Sequence, residues 1–149
     1  MKYLITVTFL LVFVISVGFG QTFSLLKNSD DRAIYAFVLE TYLKKNQPKL
    51  VGNEILIEYD LLTTSKLSNE IDGIKIRIVS LNKKLFRVKG KEFQILRIVP
   101  LRLKEGRFIV TVIEFIATYK KNNIKLINKG GGEFEFNYDC IEKTLISTF

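Results

Sequence analysis

The most apolar part of the chain beyond its first twenty residues runs from Lys91 to Lys121, KEFQILRIVPLRLKEGRFIVTVIEFIATYKK. Its apolar positions recur at alternate residues on either side of Glu105-Gly106. That pattern predicts two long strands joined by a two-residue hairpin turn, with glycine supplying the positive φ. Counting outward from the turn sets Leu103 opposite Phe108, Leu101 opposite Val110, Val99 opposite Val112, Arg97 opposite Glu114 and Ile95 opposite Ile116. Directly opposed side chains share one face of a sheet. Leu96, Ile98, Ile109, Ile113, Phe115, Ala117 and Tyr119 then take the other face. Both faces are largely apolar, whereas a hairpin with one wet face alternates cleanly, so cover is expected on both sides, or a partner. Pro100 cannot donate to the ladder. It marks an edge position or a bulge, and a bulge would shift the register beyond it by one residue.

The rest of the chain arranges itself around this hairpin. A helix is expected from a cap at Ser29 or Asp30 to about Lys45, with Pro48 barring its continuation. Between Ala33 and Leu43 only Glu40 and Thr41 are polar, which predicts a helix enclosed on several sides by a curved sheet. Leu50–Leu61 alternates as a first strand, with Ile55, Ile57, Tyr59 and Leu61 on one face and Glu54, Glu58 and Asp60 on the other. A polar loop over 63–73 leads to a second strand, Ile74–Val79. After the hairpin, Ile124–Asn128 reads as strand and Gly130-Gly131-Gly132 as a break, because glycine carries the largest entropic cost of ordering. Glu133–Cys140 alternates strictly, with Phe134, Phe136, Tyr138 and Cys140 directed inward, and Thr144–Phe149 reads as a last strand. The expected fold is α+β: one N-terminal helix packed on a curved antiparallel sheet of about five or six strands.

The N-terminus changes the picture of where the chain works. Lys2, an uncharged apolar run from Leu4 to Phe19, and Gly18-Phe19-Gly20 before Gln21 have the layout of a cleavable secretory signal over residues 1–20. The run is short of the ~20 apolar residues that a spanning helix needs. Residues 21–149 are then a single exported domain, periplasmic or secreted, touching a membrane only through the N-terminal segment if that stays uncleaved. The one cysteine cannot form an internal disulfide, and the chain contains no Asn-x-Ser/Thr site. A small exported domain with many Lys, Ile and Asn residues has a bacterial character. The formal charge of +8 favours anionic partners, and export makes cellular nucleic acid a poor one.

Absences narrow the chemistry. There is no histidine, which removes the commonest general base, Ser-His-Asp and Cys-His catalysis, and zinc sites built on imidazole. Gly130-Gly131-Gly132 is followed by neither Gly-Lys-Ser/Thr nor a helix, so it is not a phosphate loop. NEIDG at 69–73 lacks the spaced oxygen ligands and closing Glu of a calcium loop. Glu54, Glu58 and Asp60 could act as paired carboxylates, but successive same-face positions on a strand more simply form its wet side. Cys140 reads as a buried structural thiol ahead of an intermolecular disulfide or a nucleophile. No catalytic residue, metal site or cofactor is assigned.

Two binding candidates remain. Arg97 and Glu114 are the only charged pair on their face of the hairpin, either at the mouth of a ligand concavity or simply as a cross-strand ion pair. Lys83, Lys84, Arg87, Lys89 and Lys91, interleaved with Leu85, Phe86 and Val88, have the texture of an anion-binding patch. The plainer reading is a solvated connection, partly helical, pinned by Leu85 and Phe86.

Gly130-Gly131-Gly132, five residues and Tyr138-Asp139-Cys140, preceded by Tyr119-Lys120-Lys121-Asn122-Asn123, resembles the C-terminal half of small exported bacterial proteins of unassigned function. That resemblance implies no activity. The order of a helix and then long strands is similar at fold level to cystatin-like and NTF2-like rolls, which host many functions. The expected function is an exported, non-enzymatic binding or interaction module for an anionic polymer, an envelope component or another protein. The alternative is a small-ligand carrier with an apolar pocket between helix and sheet.

Overall fold

The computed structural model of the protein describes residues 31–46, 54–141 and 144–148. The expected signal segment, the helix cap at Ser29 or Asp30, the start of the first expected strand and the turn at Glu142-Lys143 lie outside the described residues. The elements in chain order are α1 (Asp31–Asn46), β1 (Glu54–Glu58), α2 (Leu61–Thr64), β2 (Glu70–Ile71), β3 (Ile74–Val79), α3 (Lys83–Lys89), β4 (Glu92–Lys104), β5 (Arg107–Lys120), β6 (Asn123–Asp139) and β7 (Thr144–Ser147). Among the described residues, no helix is long and apolar enough to cross a membrane.

Among the described residues the strands form one seven-stranded sheet in the order β2-β3-β1-β4-β5-β6-β7. β1 lies between β3 and β4 and is parallel to both; the other pairings are antiparallel. The expected antiparallel sheet of five or six strands, and with it the cystatin-like or NTF2-like roll, is therefore corrected to a seven-stranded mixed sheet, still within the α+β class. The cause is β1. Parallel neighbours cannot be joined by a tight turn and need a crossover of about a dozen residues or more. The 59–73 segment supplies one crossover, through α2 and β2. A second, through α3, carries the chain from β3 across β1 to β4.

The β4–β5 hairpin turns at Glu105-Gly106, whose φ angles are 51° and 78°. Leu103 stands opposite Phe108, as counting from the turn requires. A bulge at Pro100-Leu101 then shifts the register by one, so Leu96 stands opposite Glu114 and Arg97 opposite Ile113. Proline brings no N–H to this point, and the Leu101 N–H donates instead to the Tyr35 hydroxyl of α1 at 3.1 Å. The bulge thus turns Leu96 and Ile98 onto the same face as Val110 and Val112.

That face carries α1. Ile34, Tyr35, Val38, Leu39, Tyr42 and Leu43 are buried against Ile55, Ile57, Ile76, Ile98, Val110, Val112, Phe134 and Phe136. The buried positions form one stripe, while Glu40 and Thr41 are half-buried and Lys44 and Lys45 exposed. The helix is covered on one side, not enclosed on several. Half-exposed Ala36 and Phe37 make its sequence look more apolar than its surroundings are. The opposite face of the sheet has a second, smaller core under α3, built from Leu56, Val79, Phe86, Ile95 and Ala117. Both faces of the central hairpin are therefore covered.

β6 is a single strand of 17 residues that runs through Gly130-Gly131-Gly132 without the expected break. The glycines sit at a register shift against β5, where Gly130 pairs Glu114, Asn128 pairs Phe115, and Lys129 is the extra residue. Gly131 has φ of 156°, and a Cβ there would stand 2.1 Å from the Val112 carbonyl oxygen. Glycine is what lets the two backbones close up at the bulge, so here it continues the strand.

Candidate functional site

The site grows from the turn between β5 and β6. Lys121 and Asn122 both have positive φ, 51° and 65°, the conformation of a tight primed hairpin turn. Asn tolerates this conformation through local hydrogen bonding. The Asn122 side-chain oxygen accepts from the Tyr119 hydroxyl at 3.0 Å and from Lys83 Nζ at 3.5 Å, tying the turn to α3.

Helix α3 is held in place by its ends and its core residue. The Asn82 side chain accepts from the Leu85 N–H at 3.1 Å, and the Gly90 N–H donates to the Phe86 carbonyl at 3.0 Å. Phe86 is buried and packs on Phe93 and Tyr119, with ring centroids 4.7 and 5.4 Å apart. The Tyr119 N–H donates to the Lys91 carbonyl at 3.0 Å, which brings the start of β4 against the end of β5.

These contacts shape a solvent-open trough of about 720 Å³ at the end of the sheet. Lys91, Lys120, Lys121 and Lys125 line it, and Glu92 is the one carboxylate among its lining residues. All four lysines are exposed. Thr118, Tyr119 and Asn122 complete the wall with a hydroxyl, a phenol and an amide. Thr118 stands opposite Lys125, and Lys120 opposite Asn123, so strand pairing itself assembles the cluster.

The sequence-predicted residues are distributed differently from expectation. Of the run Lys83, Lys84, Arg87, Lys89 and Lys91, only Lys91 lines the trough, while Lys83 reaches the Asn122 side chain beside it. Lys84 and Arg87 are exposed on α3, and Lys89 is bonded to Glu54 of β1 on the same face of the sheet. The run is a helix with its side chains spread around it, not one patch. Lys120, Lys121 and Lys125, which complete the cluster, were not singled out from the sequence as basic residues. What gathers them is the pairing of the end of β5 with the start of β4 on one side and with β6 on the other.

Arg97 and Glu114 do not meet. The one-residue shift at Pro100 places them on opposite faces of the sheet. Arg97 pairs with Glu58 and lies over the Phe115 ring at 5.1 Å from its centroid. Glu114 accepts from the Tyr42 hydroxyl at 3.4 Å. Burial, and then the Glu114 charge and hydrogen bond, push the Tyr42 phenol up from 10.0 to about 12. The ligand mouth expected between Arg97 and Glu114 is therefore not formed.

The carboxylates of β1 are each engaged structurally. The hydrogen bond from Lys89 holds the Glu54 carboxyl below its ordinary value, against the opposing effect of burial and with help from the Lys89, Arg77 and Lys75 charges. Glu54, Lys89 and Gln94 line a smaller cleft of about 160 Å³ with Leu56, Phe93 and Ile95. Asp60 caps α2, accepting from the Leu62 and Thr63 N–H groups at 2.9 and 3.0 Å. Neither concavity is lined by α1. Cys140 is exposed, not buried: the inward burial of Phe134 and Phe136 has already lapsed at Tyr138, which is 48% exposed, and β6 ends at Asp139.

The fold and the site together define a small α+β domain with an open, lysine-lined trough at one end of its sheet. No protein-family model, curated protein or solved structure matches the chain.

Proposed function

We propose that the protein is an exported, non-enzymatic binding module that holds an anionic partner at the trough formed by Lys91, Lys120, Lys121 and Lys125. The observation that carries this reading is the convergence of four exposed lysines, from the residue before β4, the end of β5, the β5–β6 turn and β6, around one concavity with a single carboxylate among its described lining residues. Like charges gathered in a concave surface focus the potential and raise the local concentration of an anion. The net charge of +8 acts in the same sense at longer range. Periplasmic or secreted placement makes an envelope component or an exported polymer the partner, in preference to nucleic acid.

A carrier holding an apolar ligand between α1 and the sheet has less support. Val38, Leu39, Val110 and Val112 meet there with no exposed surface. The test is equilibrium binding of the full chain to anionic polymers and anionic vesicles at low salt. Retention by at least one class, weakened by Lys120→Gln with Lys125→Gln, supports the reading. Binding to neither class ends it.

A further inference from the structure

We infer that the trough takes an acidic polysaccharide, a linear chain of hydroxylated rings bearing regularly spaced carboxylates; this rests on the reading of the trough as an anion site. Three observations choose this class. First, among the described residues the wall carries lysine and no arginine. Lysine is a compact, strongly hydrated point charge on a flexible stem, whereas planar bidentate capture of a fixed phosphate or carboxylate is the work of arginine. A row of lysines tolerates a hydrated polyanion that lies in several registers.

Second, the groups between the lysines are hydrogen-bonding and short. Thr118 and Asn122 line the trough beside the Tyr119 hydroxyl. A sugar ring offers hydroxyls to such groups; a lipid headgroup does not need them. Surfaces that enter a bilayer present large apolar side chains beside their lysines. Here Lys120 and Lys121 are followed by Asn122 and Asn123. The concave shape also keeps its floor away from a flat membrane.

Third, the one aromatic ring among the described residues of the wall is already committed. Tyr119 packs on Phe86 with centroids 5.4 Å apart and planes at 31°. Single-stranded nucleic acid is held by a basic groove together with bases stacked in succession on aromatic side chains, and the single ring here, already packed on Phe86, offers no such series.

The experiment compares polygalacturonate, uncharged dextran, phosphatidylglycerol vesicles and single-stranded poly-dT as probes, using the full chain and the variant Lys120→Gln/Lys121→Asn/Lys125→Gln. Asn at position 121 keeps the positive φ that the turn requires. The expected result is binding of polygalacturonate and not dextran, weakened about tenfold in the triple variant and further by added salt, since three exposed charge contacts are lost. Lys125→Gln alone carries the same test at smaller amplitude should the triple variant fold poorly. Preferential binding of vesicles or poly-dT overturns the polysaccharide assignment and leaves the anion-binding reading standing. Polygalacturonate binding unchanged in the variants overturns the trough as its site. Binding of no anionic probe overturns both.

Discussion

Tyr42 shows how far a single side chain can report on the packing around it. Its hydroxyl reaches Glu114 from α1, and its ring sits edge-on to Phe134 with centroids 6.5 Å apart. Below pH 10 the folded and unfolded chains both keep the phenolic proton, so the raised value has no effect on stability. Between pH 10 and about 12 the unfolded chain gives up this proton and the folded chain does not, so stability falls as pH rises. A spectrophotometric titration is expected to show a tyrosine step near pH 12 that disappears in Tyr42→Phe. The same variant should flatten the alkaline loss of stability. Glu54 works in the opposite direction. Its carboxyl is held below the ordinary 4.5, so its contribution is present above that pH and lost as the pH falls through the folded value. Glu54→Gln should therefore make acid unfolding less steep, as followed by circular dichroism. Gly131 is the sharpest residue-level constraint. Gly131→Ala drives a methyl group into the Val112 carbonyl and is expected to cost about 3 kcal/mol or more in urea unfolding. Gly132→Ala has its nearest neighbour, a Phe134 ring atom, at 3.3 Å and should cost less.

At the scale of elements, what the sequence made legible depended on how local the governing interaction is. β3 spans Ile74–Val79 in both expectation and structure, and the Glu105-Gly106 turn falls where a two-residue hairpin places it, because alternation and turn chemistry are local signals. The direction of β1 was not legible. The three central residues of EILIE are buried on both faces, but so short an apolar run does not fix a strand's direction, and only the crossovers decide. The continuity of β6 was hidden for a different reason: the role of Gly131 comes from the backbone of β5, not from its own neighbours in the chain. The trough was half visible. Lys91 lies in the basic run that the sequence displays, but Lys120, Lys121 and Lys125 join it only through strand pairing. Helix α1 holds its place by its buried stripe. Leu39→Ala there is expected to cost about 3 kcal/mol, the usual range for a fully buried leucine, measured by urea unfolding.

For the molecule as a whole, stability should be uneven. β5 lies between two long antiparallel partners, β4 and β6, and carries core residues on both faces. β2 and β7 have two and four residues and occupy the sheet margins. Amide exchange is expected to be slowest in β5, approaching the rate of global unfolding, and fastest in β2 and β7 through local opening. Rapid exchange throughout β5 would mean that the two cores do not act as one cooperative unit.

The bulge at Pro100 governs this arrangement as a phase shifter does a wave. Upstream of it, Leu96 and Ile98 have odd-numbered Ile95 and Arg97 on the reverse side of the strand. Removing that one residue would regularise the ladder and invert the parity of Glu92–Val99, sending an arginine beneath α1 and two buried aliphatic side chains to the reverse side. A one-residue deletion at position 100 should thus be far more damaging than Pro100→Ala, which keeps the count. Length, more than side-chain identity, is the property that selection would have to guard at this point in the chain.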